Sequence, residues 1–193
     1  MTMFLKIFLF FSLLSIGSSV EAEQNWQVTP LKSSISFLVH STLHEFNGQA
    51  GELFGNFDRQ QKMIKGFIDV GVTGLSTNNP DRDKAMYRMF DASQYSQIQF
   101  NFEDTDLSQV LDRHIGDVIF NGKLTIHHVT RPVTILSQGS MQDGVLVCEG
   151  KMLINLKDYD LKPPSILGLI RVNDEVLVHF RIVFVPKEDP YAS

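Results

Sequence analysis

The chain predicts an all-β fold, an antiparallel barrel with one short helix near residues 80–90. Three observations carry this. Apolar residues alternate with polar ones at period two in at least six segments, the mark of half-buried antiparallel strands. Turn-forming residues separate several of these segments. A single stretch, residues 79–90, switches to helical spacing. A long meander needs its edges handled, and closure into a barrel does that best.

The first 22 residues are set apart. Lys6 supplies a small positive region, Ile7 to Ile16 an apolar core, and Val20-Glu21-Ala22 a small-x-small cleavage site. This is the pattern of a secretory signal peptide, and the apolar run is too short to span a bilayer. Residues 23–193 then form one domain. The leader holds Lys6 and Glu21, so the formal charge of −5 is unchanged by its removal. An acidic chain with no basic run speaks against nucleic acid and against docking on anionic lipid. Cys148 is the only cysteine. No intramolecular disulfide is available, so an apolar core must hold the exported protein. In LVCEGKMLI that cysteine is in phase with apolar neighbours, as a buried inert thiol would be.

The strands follow in order. Ile35, Phe37 and Val39 share a face in SISFLVH, as do Ile64, Ile68, Val70 and Val72 in MIKGFIDVGV. Ile98, Phe100 and Phe102 alternate in QIQFNF, and Val118, Phe120, Leu124 and Ile126 in VIFNGKLTI. Leu146, Cys148, Met152, Ile154 and Leu156 make the next face, and Val176, Val178, Phe180, Ile182 and Phe184 the last. Asp143-Gly144 and Asn173-Asp174 read as two-residue hairpin loops. Pro163-Pro164 stops a strand before the last hairpin. Between strands, Asn79 is a plausible N-cap, with Pro80 at the first helical position and acids in the first turn. Arg82, Met86, Met89 and Phe90 then fall on one side, which would cover a barrel mouth.

Six histidines invite a catalytic reading. None makes HExxH. His40 and His44 sit four apart, but on a strand followed by a turn. His127 and His128 are consecutive and on a strand would point to opposite faces. No G-x-S-x-G, phosphate loop, dinucleotide fingerprint or calcium loop occurs. Asp81, Arg82 and Asp83 could form an acid/base or anion site, but they are explained better by the start of a helix, where acids meet the positive dipole end and Arg82 pairs with a neighbouring loop. A His-based metal-dependent hydrolase using His40, His44 or His179 stays open as an alternative, as does a solid-core module interacting in envelope stress. A barrel of about eight strands can be filled by side chains or can hold one small ligand. The alternation does not distinguish the two.

Three motifs bear on that choice. GKLTIHHVTRPVTI resembles the signature G-x-L-T-I-x-G-V-T-K/R-P-V of the YceI-like family. SSISFLVHSTLHEFNGQ resembles that family's first long strand. DRDKAMYRMFDASQYSQIQF resembles its R-D helix followed by F-D-x-x-x-Y-P-x-I-x-F. The similarity spans about residues 26–185. Arg82, Asp83 and Met86 match the helix motif, and Gly122, Leu124, Thr125, Ile126, Val129, Thr130, Arg131, Pro132 and Val133 the strand-turn-strand motif. The chain departs from the family at Lys32-Ser33, where His-Ser is frequent, at Ser96, where Pro is usual, and at His128, where Gly is common. The last makes His128 the expected site of a positive φ. His127-His128-Val129-Thr130 is read as the connection, with Arg131-Pro132 beginning the next strand.

The resemblance implies an exported, lipocalin-like barrel with an elongated apolar cavity. It implies binding rather than catalysis: no cofactor, but a bound polyisoprenoid, isoprenoid quinone or fatty-acid-like chain. The inward phases and the helix then nominate a lining of Phe37, Val39, Ile68, Met86, Phe90, Phe100, Phe102, Phe120, Leu124, Ile126, Met152, Ile154, Val178 and Phe180. The expected partner is a small amphiphilic lipid, in the periplasm or outside the cell. No membrane span is expected after cleavage, and a homodimer is left open.

Overall fold

The computed structural model describes residues 24–187, apart from 43, 52, 164 and 167–169. The predicted signal peptide lies outside the described residues, as does Pro164. Among the described residues eleven strands run in chain order: β1 Gln24–Val28, β2 Ser34–Ser41, β3 Glu45–Gln49, β4 Leu53–Gln60, β5 Met63–Gly71, β6 Gln97–Asp106, β7 Ile115–Ile126, β8 Val129–Gln142, β9 Val145–Asn155, β10 Ser165–Ile166 and β11 Ile170–Pro186. Strand β1 pairs with β4 on one side and β11 on the other, closing the ring β1-β4-β5-β6-β7-β8-β9-β11. The pairings between neighbours in this ring are antiparallel. The predicted closed antiparallel barrel is therefore the observed one.

Strand β11 is long enough to serve two partners. Its end, Phe184 to Pro186, pairs with β1, while Val172 to Arg181 pairs with β2. The 3₁₀ turn Pro30–Lys32 bends the chain between β1 and β2. Strand β3 pairs with β2 and reaches back through a bridge from Gln49 to Ser76.

Helix α1 spans Pro80–Met89, as the N-terminal signals predict. The Asn79 side chain accepts from the Asp81 and Arg82 amides at 3.1 and 3.0 Å, satisfying two orphan donors. A second helix, α2, Ser108–Arg113, sits at the opposite end of the barrel against β7 and β8. It buries Val110 over Gly139.

The Asp143-Gly144 loop matches its sequence reading. Both residues have positive φ, +50° and +73°, the twist that a two-residue antiparallel hairpin needs. Asn173-Asp174 does not close a hairpin. It lies inside β11, where the register against β2 slips between Val172 and Val176, so it forms a bulge. The bulge turns Asp174 onto Lys157, with which it pairs. The connection at 127–130 also corrects: only His127 and His128 join β7 to β8, because Val129 and Thr130 already pair with Ile126 and Thr125. Pro132 is thus inside β8. It is tolerated there because pairing between β8 and β9 is described only from Ser137 onward.

The barrel is solid in one half. Trp26 stacks on Phe57 with ring centroids 5.4 Å apart, and Phe57 meets Phe184 edge-on at 4.9 Å. Phe102 lies against Phe120 at 5.0 Å and is 1% exposed. Toward the other half, aromatic rings lie on glycines of the adjacent strand. A Cβ on Gly48 would fall 2.1 Å from the Phe37 ring, one on Gly150 2.6 Å from Phe180, and one on Gly122 2.7 Å from Phe100. The rings occupy the space of the missing side chains and so lie along the wall, not across the lumen.

Gly122→Ala is expected to lower stability by about 1–3 kcal/mol, since its methyl meets the Asn101 carbonyl as well as the ring. Gly71→Ala, with nothing within 4 Å of the added carbon, is expected to stay within about 0.5 kcal/mol of wild type. Urea unfolding of the two variants measures both.

Candidate functional site: a half-hollow barrel

The upper half of the barrel, beneath α1, encloses a cavity of about 610 Å³. Strands β2, β5, β6, β7, β9 and β11 supply the wall and α1 the roof. A smaller bay of about 90 Å³ continues toward the solid half. Most wall atoms are apolar, because the residues that these strands turn inward around the cavity are mainly aliphatic, aromatic or thioether.

Ten of the nominated residues line the main cavity. Phe37, Val39, Ile68, Leu124 and Ile126 do so from the strands at one side, and Met152, Ile154 and Val178 from β9 and β11. Met86 and Phe90 come down from the helix. Phe100, Phe120 and Phe180 border only the deeper bay. Phe102 reaches neither: it packs between Phe100 and Phe120, part of the solid core. Its phase is inward, but its level along the strand is too low, and alternation reports face without reporting depth. Ile98 and Val70 line the cavity on phases already marked apolar, and Phe46, Ala85 and Met89 join them.

Polar groups gather at one edge of the mouth. Thr77, 5% exposed, donates its hydroxyl to Asp83 Oδ1 at 2.6 Å and its amide to the same oxygen at 2.8 Å. Ser76 Oγ donates to Asp83 Oδ2 at 3.0 Å. Arg82 Nε donates to Thr77 Oγ1 at 2.9 Å, and its guanidinium lies 4.3 Å above the Phe46 ring centroid. The terminal nitrogens of Arg82 have no partner among the described residues, and Arg82 is one of the residues that border the cavity. Burial pulls the Asp83 carboxyl upward, but the hydrogen bonds from Thr77 and Ser76 and the Arg82 charge outweigh it, leaving it below the ordinary carboxylate range. This clamp fixes the helix start to the segment after β5. Sequence reasoning assigned the acids to the helix dipole and Arg82 to a neighbouring loop, which is where Arg82 is found, but gave no sign of Thr77 as the partner.

The histidines do not converge. His40 pairs with Glu45 at 2.9 Å on the outer surface, and His179 is exposed on β11. His44 borders the mouth. Among the described residues no group of three or more His, Cys, Asp or Glu is placed to hold a metal ion. Cys148 is 1% exposed, and burial pushes its thiol up to about 12. At the β7–β8 turn the expected positive φ belongs to His127, at +56°, and not to His128. The two rings meet through Nδ1 atoms 2.6 Å apart, and Tyr95 packs edge-on against His127 at 4.2 Å. Burial, then the neighbouring His128, lowers the His127 pKa, with Asp91 and Asp160 pulling the other way. A fold that favours neutral His127 loses that contribution as pH falls through the imidazole range.

A closed antiparallel barrel, solid at one end and hollow and apolar at the other, is a lipocalin-like architecture. A profile of the YceI-like domain matches residues 26–184, and the chain belongs to that family. UPF0312 proteins of Vibrio campbellii and Vibrio parahaemolyticus are 33% and 32% identical over 109 residues, which is 53% of this chain and 55% of each relative. The chain thus spans about half the length of the curated relatives it matches. Among solved structures, BcnA of Burkholderia cenocepacia superposes with a TM-score of 0.69 at 17% identity, covering 81% of this chain and 98% of that one. A "polyisoprenoid binding domain from Saccharophagus degradans implicated in plant cell wall breakdown" superposes at 0.72 with 15% identity, covering 84% and 98%. At such identities the likeness is one of fold.

His127→Val is expected to cost about 1–2 kcal/mol more than His128→Val, because only the former puts a branched side chain at positive φ. Chemical denaturation compares the pair. Asp83→Asn should lower stability by roughly 1–2 kcal/mol at neutral pH. Because the folded pKa of Asp83 is depressed, the deficit should shrink as pH falls below the ordinary carboxylate value. Melting temperatures across pH measure this.

Proposed function

We propose that this protein binds a long-tailed amphiphile, with the tail in the apolar cavity and the polar head at Arg82. The single observation that carries this reading is the cavity itself: about 610 Å³, walled by aliphatic and aromatic side chains, with hydrogen-bonding groups confined to its mouth. That is the form of a small-molecule binding site. At ~0.8 kcal/mol per buried methylene, ten methylenes contribute on the order of 8 kcal/mol before entropy losses. No covalent step is needed. The polyisoprenoid-binding neighbour supports an isoprenoid or isoprenoid quinone as the ligand class, and a fatty-acid-like chain fits the same wall. The leader-like residues 1–22 support a periplasmic or secreted carrier.

Arg82 supplies uncommitted donors at the mouth, and its charge is already balanced by Asp83. It suits a head group that accepts hydrogen bonds.

Organic extraction of the purified protein followed by mass spectrometry is the test, with a stoichiometric long-chain lipid as the expected result. Ile154→Trp, which fills the cavity from β9, should abolish retention while the protein stays folded. A protein without lipid in the extract, and unable to take up lipid when challenged, would sink the reading. Arg82→Met should weaken binding by about tenfold through loss of the head-group hydrogen bonds, read by displacement of a fluorescent fatty acid.

A further inference from the structure

We propose that Met152 sets the length of tail the cavity accepts. This rests on the lipid-binding reading. The hollow half has two compartments, about 610 and 90 Å³, and only four residues border both: Ile35, Ile68, Met152 and Val178. These four form a neck. Below it, Phe100, Phe120 and Phe180 floor the bay, and the packed rings of the solid half end the space.

The neck side chains differ in kind. Ile35, Ile68 and Val178 are β-branched and held near one χ1. Met152 is unbranched, with three rotatable bonds and a polarisable sulfur, the side chain best able to change shape around a ligand. It stands directly opposite Val178 in the β9–β11 pairing. Two residues along the same face, Gly150 brings no side chain, and its space is taken by the Phe180 ring. Phe180 is therefore held to the wall, and Met152 is the neck residue free to turn. With Met152 across the neck, a tail ends in the upper compartment. With Met152 turned aside, the tail gains the bay, which at roughly 30 Å³ per methylene-sized group holds about three more carbons.

Affinity should rise about fourfold with each added methylene while the tail fills the upper compartment, then break to a shallow slope at the neck. Two homologous series read the break, straight-chain fatty acids and their primary amides from decanoyl to tetracosanoyl, so that head-group charge does not decide the outcome. Met152→Ala should move the break to chains about three carbons longer. Met152→Phe should move it to shorter chains, and Met152→Leu, close in volume, should leave it in place. In the wild-type protein, a methyl-labelled Met152 signal should shift sharply only with chains at or beyond the break, which tests the neck without any substitution. Chains that bind with the same break in every variant, or a Met152 signal indifferent to chain length, overturn the proposal while leaving lipid binding standing. If neither series binds the wild-type protein, the lipid-binding reading falls, and this proposal with it.

Discussion

The hollow half of this barrel depends on one repeated contact, a phenylalanine laid over a glycine of the next strand. A ring of eight strands has an interior that side chains can just fill. If Phe37, Phe100 and Phe180 pointed at the barrel axis, they would fill it. The absent side chains of Gly48, Gly122 and Gly150 give each ring a place against the sheet. The same rings still bury their apolar area, so the wall keeps its stabilising surface while the lumen stays open. Lower down, where Trp26, Phe57 and Phe184 pack on one another, the interior closes. Stability and space are thus divided between two ends of one sheet.

The mouth solves a different problem. A helix lying over an apolar opening gains little from its own propensity at ten residues. Asn79 caps it, and Asp83 ties it to Thr77 and Ser76, so that the roof is anchored at its first turn. Two of the anchoring groups, Thr77 and Asn79, border the cavity beside Arg82, which puts polarity and attachment in the same place. The second helix, α2, seals the other end with Val110 and belongs to the solid half.

Much of this was legible in the sequence. Period-two alternation located β2, β5, β6, β7, β9 and β11 because one face of each is buried, though it did not single out β1 or β4, and Asn79-Pro80 located the helix start because capping chemistry is local. Asp143-Gly144 was legible for the same reason. Asn173-Asp174 misled because the same turn-forming residues suit a bulge, and only the pairing of both flanks with β2 separates the two. His128 was singled out by comparison with a family glycine, yet the left-handed residue is its neighbour, a matter of turn geometry that composition does not carry. The site was half legible: facing direction can be read from phase, but Phe102 shows that depth cannot. Thr77 gave no signal, since its role exists only once the helix and the segment after β5 are brought together.

The lone cysteine has a use beyond packing. Cys148 sits where the deeper bay meets the packed rings of the solid half, paired across from Ile182 and Gly139, with its thiol buried and hard to ionise. Thiol reagents act on the thiolate, so the folded barrel shields this atom twice over, by access and by charge. Labelling of Cys148 therefore proceeds at the pace at which this part of the barrel opens. A chain with a single cysteine in that position carries its own clock for the breathing of its core.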